Sequence, residues 1–196
     1  AWMANGAHAA KPVSGAAAVA AHPQGSHRHA CGAPSPHFAS CHSDVVTGSS
    51  GAPFVTPAPA GYGPSDLLDA YSLNAAAAQK GSDQTVAIVD AYDDPNAEAD
   101  LSTYRSQYGL PACTTANGCF RKVNQTGGPT YPAANTGWSQ EISLDLDMVS
   151  AVCPKCRILL VEATSNSFAN LAASVDEAAK LGGTQISNSY GGSEYS

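Results

Sequence analysis

The sequence predicts an α/β domain in which helices pack against a parallel sheet. Three observations carry that expectation. "QTVAIVDAY" and "RILLVEA" are near-continuous apolar runs, the pattern of strands buried on both faces. Segments of helical period stand between and after them, and such alternation implies parallel pairing through right-handed crossovers. A length of 196 residues with 43% hydrophobic content suits one domain with a core, or one domain plus a tail.

Residues 1–60 are rich in Ala, Pro, Gly, Ser and His and lack periodicity, so they read as a flexible leader or pro-segment. All the histidines lie there: His8, His22, His27, His29, His37 and His42. "HPQGSHRHAC" reads as a solvated tract rather than a dedicated metal site. Residues 61–196 are regular. "GPSDLLDAYSL" is a short helix entered through Pro64, with Leu67, Leu68 and Tyr71 apolar at helical spacing. The first buried strand follows. "DDPNAEADLSTYRSQYGL" is a helix with Asp94 as N-cap, Pro95 at its first position and Gly109 as its stop; Leu101, Tyr104 and Tyr108 form its inner stripe. "FRKVN" is a short strand. Gly137 to Val152 is an amphipathic helix, and "RILLVEA" the second buried strand. "SFANLAASVDEAAKLGG" is a helix capped by Ser167 and ended by Gly182. Phe168, Leu171, Ala172, Val175 and Ala179 are its expected core stripe. "TQISNSYGG" is a last strand running into glycines.

Composition excludes several classes. A net charge of −7 and a pI near 5.1 argue against nucleic-acid and anionic-membrane partners. No apolar run is long enough to span a bilayer. The six cysteines fall into three close pairs, Cys31 with Cys41, Cys113 with Cys119, and Cys153 with Cys156. Even number and local pairing favour disulfides and an oxidising compartment. "CPKC" alone also fits a redox or half-zinc motif, but it lies after a helix and before a strand. A redox unit needs the reverse order, and zinc needs a second ligand pair.

The helix from Gly137 to Val152 carries the chemistry. At about 100° per residue, Ile142, Leu144, Leu146, Met148, Val149 and Val152 spread over one apolar face. Ser143, Asp147 and Ser150 collect opposite, so Asp147 is expected to face water. Glu141 and Asp145 fall on the apolar face. Two buried like charges cannot both ionise cheaply, which favours a proton shared between them, as in acid–base dyads. The competing reading is structural: both reach a pocket edge, or pair with Arg105, Lys122 or Arg157. The discriminating observation is whether they meet within hydrogen-bond distance, without a basic partner, at an open cleft. Asp90 ends the first buried strand, where sites of parallel sheets lie. It suits equally a cap for the turn with Asp93 and Asp94. No His follows His42, so the regular region cannot build a Ser-His-Asp triad. No G-x-S-x-G elbow or Walker loop occurs.

The order "VAIVDAY", "GWSQEISLDLDMVSAVCP", "RILLVEA", "QISNSYGGSE" resembles the sedolisin family, secreted serine-carboxyl peptidases of subtilisin-like fold. The resemblance covers about Gly61 to Ser196 and looks closest to secreted bacterial members. It implies a three-layer subtilisin-like fold, incomplete at its C-terminal side. It implies Glu141 as general base and Asp145 as the acid that orients it. Asp90 and Tyr190 become possible members of their network, with Tyr190 standing where many members have Trp. Ser189, Tyr190, Gly191 and Gly192 match the segment beside a bound peptide. The nucleophile's G-T-S and the oxyanion S-x-G-D motifs are absent from this sequence. The calcium site of the family is assigned to the part not represented here. The implied protein is a secreted, acid-acting endopeptidase made as a zymogen, a monomer acting on peptides or proteins, and inactive as this chain alone. The alternative is a secreted, non-catalytic, disulfide-stapled binding or structural module.

Overall fold

The structure is a computed structural model that describes residues 26–54 and 61–194. Its first elements are three short strands, β1 Ser26–His29, β2 Ser40–Cys41 and β3 Asp44–Thr47. Helices α1 Pro64–Ala70 and α2 Asn74–Gln79 follow, then β4 Thr85–Ala91, α3 Ala97–Gln107, β5 Phe120–Asn124 and α4 Thr136–Val152. The chain continues through β6 Arg157–Ala163, α5 Phe168–Lys180, β7 Gln185–Ser187 and β8 Tyr190–Gly191.

The expected parallel sheet is present, with the order β5-β6-β4-β7. Successive residues of a strand point to opposite faces, and this sorts the core. Ala87, Val89, Ala91, Leu159, Val161 and Ala163 face α5, whose Leu171 and Ala178 cover them. Ile88, Ile158 and Leu160 face the other way, beneath Leu101 of α3 and Ile142 and Leu146 of α4. The result is three layers, helix, sheet, helix.

That layering corrects one expectation. The connections through α3 and α4 lie on the same face, yet β4 to β5 and β5 to β6 step in opposite lateral directions. They therefore have opposite hands. The step through α5 uses the other face and the same direction as α4, so it shares the hand of the α3 connection. The crossovers cannot all be right-handed. With the usual hand assigned to two of them, the α4 connection is the left-handed exception.

Local chemistry explains the helix ends. Asn135 caps α4 by accepting from the Gly137 and Trp138 N–H groups at 3.1 and 3.2 Å. Ser167 caps α5 by accepting from Asn170 N–H at 3.2 Å. Pro64 opens α1, where Asp66 accepts from Gly63 N–H at 2.8 Å. Helix α3 begins at Ala97, later than its Asp94-Pro95 signal. Asp94 instead closes the preceding turn, accepting from Asn96 N–H at 3.0 Å. The three disulfides pair as the spacing predicts.

The expected leader, residues 1–60, is described only in part; 1–25 and 55–60 lie outside the described residues. Within 26–54, β1 pairs antiparallel with β3, and β2 pairs antiparallel with β8, so this segment is bound to the body. The last expected strand is split into β7, which joins the sheet, and β8, which does not.

Candidate functional site

In parallel pairing, register partners share a face, and Asp90 of β4 is paired with Glu162 of β6. Both follow the Ile88 and Leu160 positions and point under α4. Glu141 and Asp145, one turn apart near the start of α4, point back toward the sheet. All four are buried: Asp90 and Glu162 are 0% exposed, Glu141 1% and Asp145 8%. The sequence placed Glu141, Asp145 and Asp90 together. It missed Glu162, which the apolar look of "RILLVEA" hid; its signal was a lone acid at the end of a buried strand.

The carboxylates are held separately. Glu141 Oε2 accepts from the backbone N–H of Ser43 at 2.6 Å. Asp145 Oδ1 accepts from Ser189 Oγ at 2.8 Å, and its other oxygen has no partner among the described residues. No hydrogen bond joins Glu141 to Asp145 among the described residues, so the shared proton and the direct contact expected of the pair are not found; Ser43 and Ser189 hold the two apart. Neither oxygen of Asp90 has a partner either, so Asp90 does not cap the following turn. No Lys or Arg ion-pairs with any of these three among the described residues. Arg105 is spent elsewhere, donating to Pro111 O, Ser150 Oγ and Pro154 O. Arg157 lies at the far end of β6 against Thr85. The charge partners expected under the structural reading are therefore absent here, with Lys122 directed at Glu162 and Asp93 instead.

Burial sets the protonation of the cluster. Asp145 is pushed up to about 6, by burial first and then by the charge of Glu141, against the Ser189 bond and His42. Asp90 is pushed well above the carboxylate range by burial, with Asp145, Glu141 and Glu162 adding to it. Burial pushes Glu162 up to about 8, although Asp94 N–H and Lys122 pull the other way. Such groups keep protons into the neutral range, where ordinary carboxyls have lost them.

Aromatic side chains wall the site. Trp138 lies between Tyr92 and Tyr190, with ring centroids 6.4 and 6.1 Å away. Tyr92 follows β4 with φ at 66°, a left-handed conformation that a bulky side chain rarely adopts and that clusters at functional sites. Its hydroxyl donates to Asn166 at 2.9 Å. Tyr190 was expected to donate into the carboxyl network. Its hydroxyl donates instead to Asn188 Oδ1 at 2.7 Å, and Ser189 makes the bond to Asp145.

The helix phase also differs from expectation. Leu144 is 41% exposed, Ser150 is buried under Arg105, and Asp147 is only half-exposed, with burial and then Asp100 pushing it up to about 7. The stripe that packs runs through Trp138, Glu141, Ile142, Asp145 and Leu146. It is turned from the predicted face because α3 also covers this helix.

The site is closed rather than open. Two clefts flank it. One, of 660 Å³, is lined by Ser43, Val46, Phe54, Asp94, Ser143 and Leu144. The other, of 580 Å³, is lined by Cys41, His42, Gly191 and Gly192 among others. Ser43 lines the first and Ser40, Cys41 and His42 line the second, and Ser43 N–H donates to Glu141. Among the described residues no group of three or more His, Cys, Asp or Glu is placed to hold a metal ion. No described helix is long and apolar enough to cross a membrane.

No protein-family model matches the chain, and no curated protein sequence matches it. A solved structure that it resembles is Pseudomonas sedolisin (serine-carboxyl proteinase) complexed with two molecules of pseudo-iodotyrostatin, at 18% identity and a TM-score of 0.49. That likeness covers 64% of this chain and 34% of the other, so the chain spans about a third of that structure's length.

Proposed function

We propose that this chain supplies the general-base half of a serine-carboxyl peptidase site. The observation that carries the reading is the buried trio Glu141, Asp145 and Asp90, set at the carboxyl end of β4 near Ser189 and β8, with no Lys or Arg among the described residues to neutralise it. Buried acids without a cation destabilise the fold, and such a cost is characteristic of groups kept for proton transfer. In this reading Glu141 takes the proton of a seryl nucleophile supplied outside this sequence and returns it to the leaving amine. Asp145, fixed by Ser189, acts on Glu141 through its charge rather than by a hydrogen bond, and Asp90 stores a proton beneath the pair. Substrate is an extended peptide that adds along Ser189, Tyr190, Gly191 and Gly192 through main-chain hydrogen bonds. The three disulfides favour an oxidising, extracellular setting.

The test is kinetic. In the complete enzyme, Glu141→Gln should lower kcat on a peptide substrate by about 10²–10⁴-fold with its circular dichroism unchanged. Asp145→Asn should shift the acid limb of the kcat profile. Retained turnover in Glu141→Gln sinks the assignment. The 196-residue chain alone should show no turnover at any pH; measurable hydrolysis would place a nucleophile inside it.

A further inference from the structure

The Cys113–Cys119 disulfide closes a short loop that carries Asn117 and Gly118, both exposed. Asn followed by Gly is a reactive pair, because glycine puts no side chain in the way when its backbone nitrogen attacks the asparagine Cγ. That nitrogen gives up its proton, the new N–Cγ bond forms, and the side-chain nitrogen leaves as ammonia. Water then opens the five-membered imide. Attack at Cγ gives Asp, and attack at the main-chain carbonyl gives isoaspartate. The conversion consumes one water, releases one ammonia and changes no oxidation state. In this loop the reacting atoms are tied down. Asn117 Oδ1 accepts from Thr114 N–H and from Cys119 N–H, both at 3.0 Å. Its Nδ2 donates to Ala112 O at 2.9 Å. The attacking nitrogen is engaged as well, with Gly118 N–H donating to Thr115 O at 3.2 Å. Gly118 has φ at 75°, so the turn itself requires the glycine that makes the pair reactive. The loop is also gripped from outside. Glu98 of α3 accepts from Thr115 N–H at 2.7 Å and from Thr115 Oγ at 2.8 Å, and Phe120 N–H at the start of β5 donates to Thr114 O at 3.2 Å.

We propose that Asn117 is a latent modification site, held unreactive by the closed Cys113–Cys119 loop and converted to Asp and isoaspartate once that loop opens. The inference is independent of the peptidase reading. To bring Cγ onto the Gly118 nitrogen, the Asn117 side chain must release all three of its bonds, to Thr114, Cys119 and Ala112. Losing three such bonds lowers the reactive population about 10²-fold. The disulfide keeps their partners in place by holding both ends of the loop together. An external dithiol opens it by exchange: the dithiol is oxidised to a disulfide as Cys113 and Cys119 become thiols. The partners then separate, and Asn117 reacts at the rate of a flexible chain. The product does not refit the loop. The new carboxylate faces Ala112 O without a proton to donate, and isoaspartate inserts a methylene into the main chain. Conversion therefore records that the loop has been open.

The experiment incubates the whole chain in neutral buffer at body temperature and follows Asp and isoaspartate at position 117 by peptide mass spectrometry. The reference is the same chain, reduced and unfolded in guanidinium chloride at the same pH. The folded, oxidised chain should convert Asn117 about 10²-fold more slowly than that reference. The double variant Cys113→Ser, Cys119→Ser keeps the other two disulfides and leaves the loop open, and it should convert at least about tenfold faster than the folded parent. The proposal is overturned if the folded parent converts as fast as the unfolded reference. It is equally overturned if the double variant, folded by circular dichroism, converts no faster than the parent. Should the double variant fail to fold, Glu98→Ala decides the matter with the disulfide intact. It releases Thr115 and should speed conversion several-fold, by about the worth of one hydrogen bond; an unchanged rate overturns the proposal.

Discussion

Two groups of buried acids lie on the same face of one sheet, and they are treated differently. Around Glu162, Lys122 supplies a cation. It pairs with Asp93, stands 3.3 Å from Glu162, donates to Asp94 O at 2.7 Å and lies 4.3 Å over the Tyr131 ring. Burial pulls its ammonium down, but the Asp93 bond and the Glu162 charge outweigh that and hold it above its ordinary range. Among the described residues no Lys or Arg pairs with Glu141, Asp145 or Asp90, although His42 draws Asp145 down. A backbone N–H and a serine hydroxyl donate to Glu141 and Asp145. The contrast teaches that burial alone does not mark a site. An acid with a fixed cation holds two strands and a loop together. Both kinds stay able to take up a proton, since burial pushes even Glu162 up to about 8; what the acids around Glu141 lack is a cation's tie to neighbouring elements.

The largest effect that tests this contrast is on turnover. In the complete peptidase proposed above, Glu162→Gln should cost less than about tenfold in kcat, far below the loss for Glu141→Gln. Equal losses would erase the distinction between the groups.

The next effect is on stability. Lys122→Met removes the cation from Asp93 and Glu162 and should cost about 3 kcal/mol in urea unfolding at neutral pH. Asp145→Asn should be neutral or stabilising above pH about 7, because it removes a charge that burial disfavours. A destabilisation as large as that of Lys122→Met would mean that Asp145 has a cation partner after all.

A smaller effect is the pH dependence. Asp145, Asp147 and Glu162 have folded values raised to about 6, 7 and 8, and Asp90 and Asp94 are raised as well. A raised acid binds its proton more tightly in the folded state than in the unfolded one. The stability it contributes is full below the unfolded value, near 4, and is lost as pH rises through the folded value. Tm should therefore fall as pH rises from about 4 to about 8. A Tm that is flat or rising over that range contradicts the burial of these acids.

The smallest is Asp147→Asn. Asp147 touches neither group of acids, so kcat should not change. Stability near pH 7 should rise by about 0.5 kcal/mol or less, with the upper part of the Tm slope flattened. A catalytic loss like that of Asp145→Asn would move Asp147 into the site.

Much of the body was legible because its signals are local. Apolar runs marked β4 and β6, and Ser167 and Pro64 marked helix starts. Spacing marked the disulfides. The odd acids Glu141 and Asp145 were legible as a conflict between charge and period. What was not legible depends on contacts far along the chain. No periodicity in residues 26–54 announces strands whose partners include Tyr190 and Gly191. Asp147 looked exposed because one helix wheel cannot include α3 lying beside it. The hand of the α4 connection follows from strand order, which no single segment encodes. Tyr190 shows the limit of analogy: its hydroxyl is taken by Asn188, two residues earlier, before it can serve a distant acid.

The strand order has a consequence for synthesis. β4 lies inside the sheet, yet both neighbours come later in the chain: Thr85 must wait for Arg157 of β6, and Val86 for Gln185 of β7. As the nascent chain emerges, "TVAIVDA" carries two open edges and almost no charge, the kind of segment that pairs with copies of itself. Its capture depends on contacts distant in sequence, which form slowly. The rate at which β6 and β7 follow, more than the final stability of the sheet, would then govern how much of this protein escapes aggregation during production.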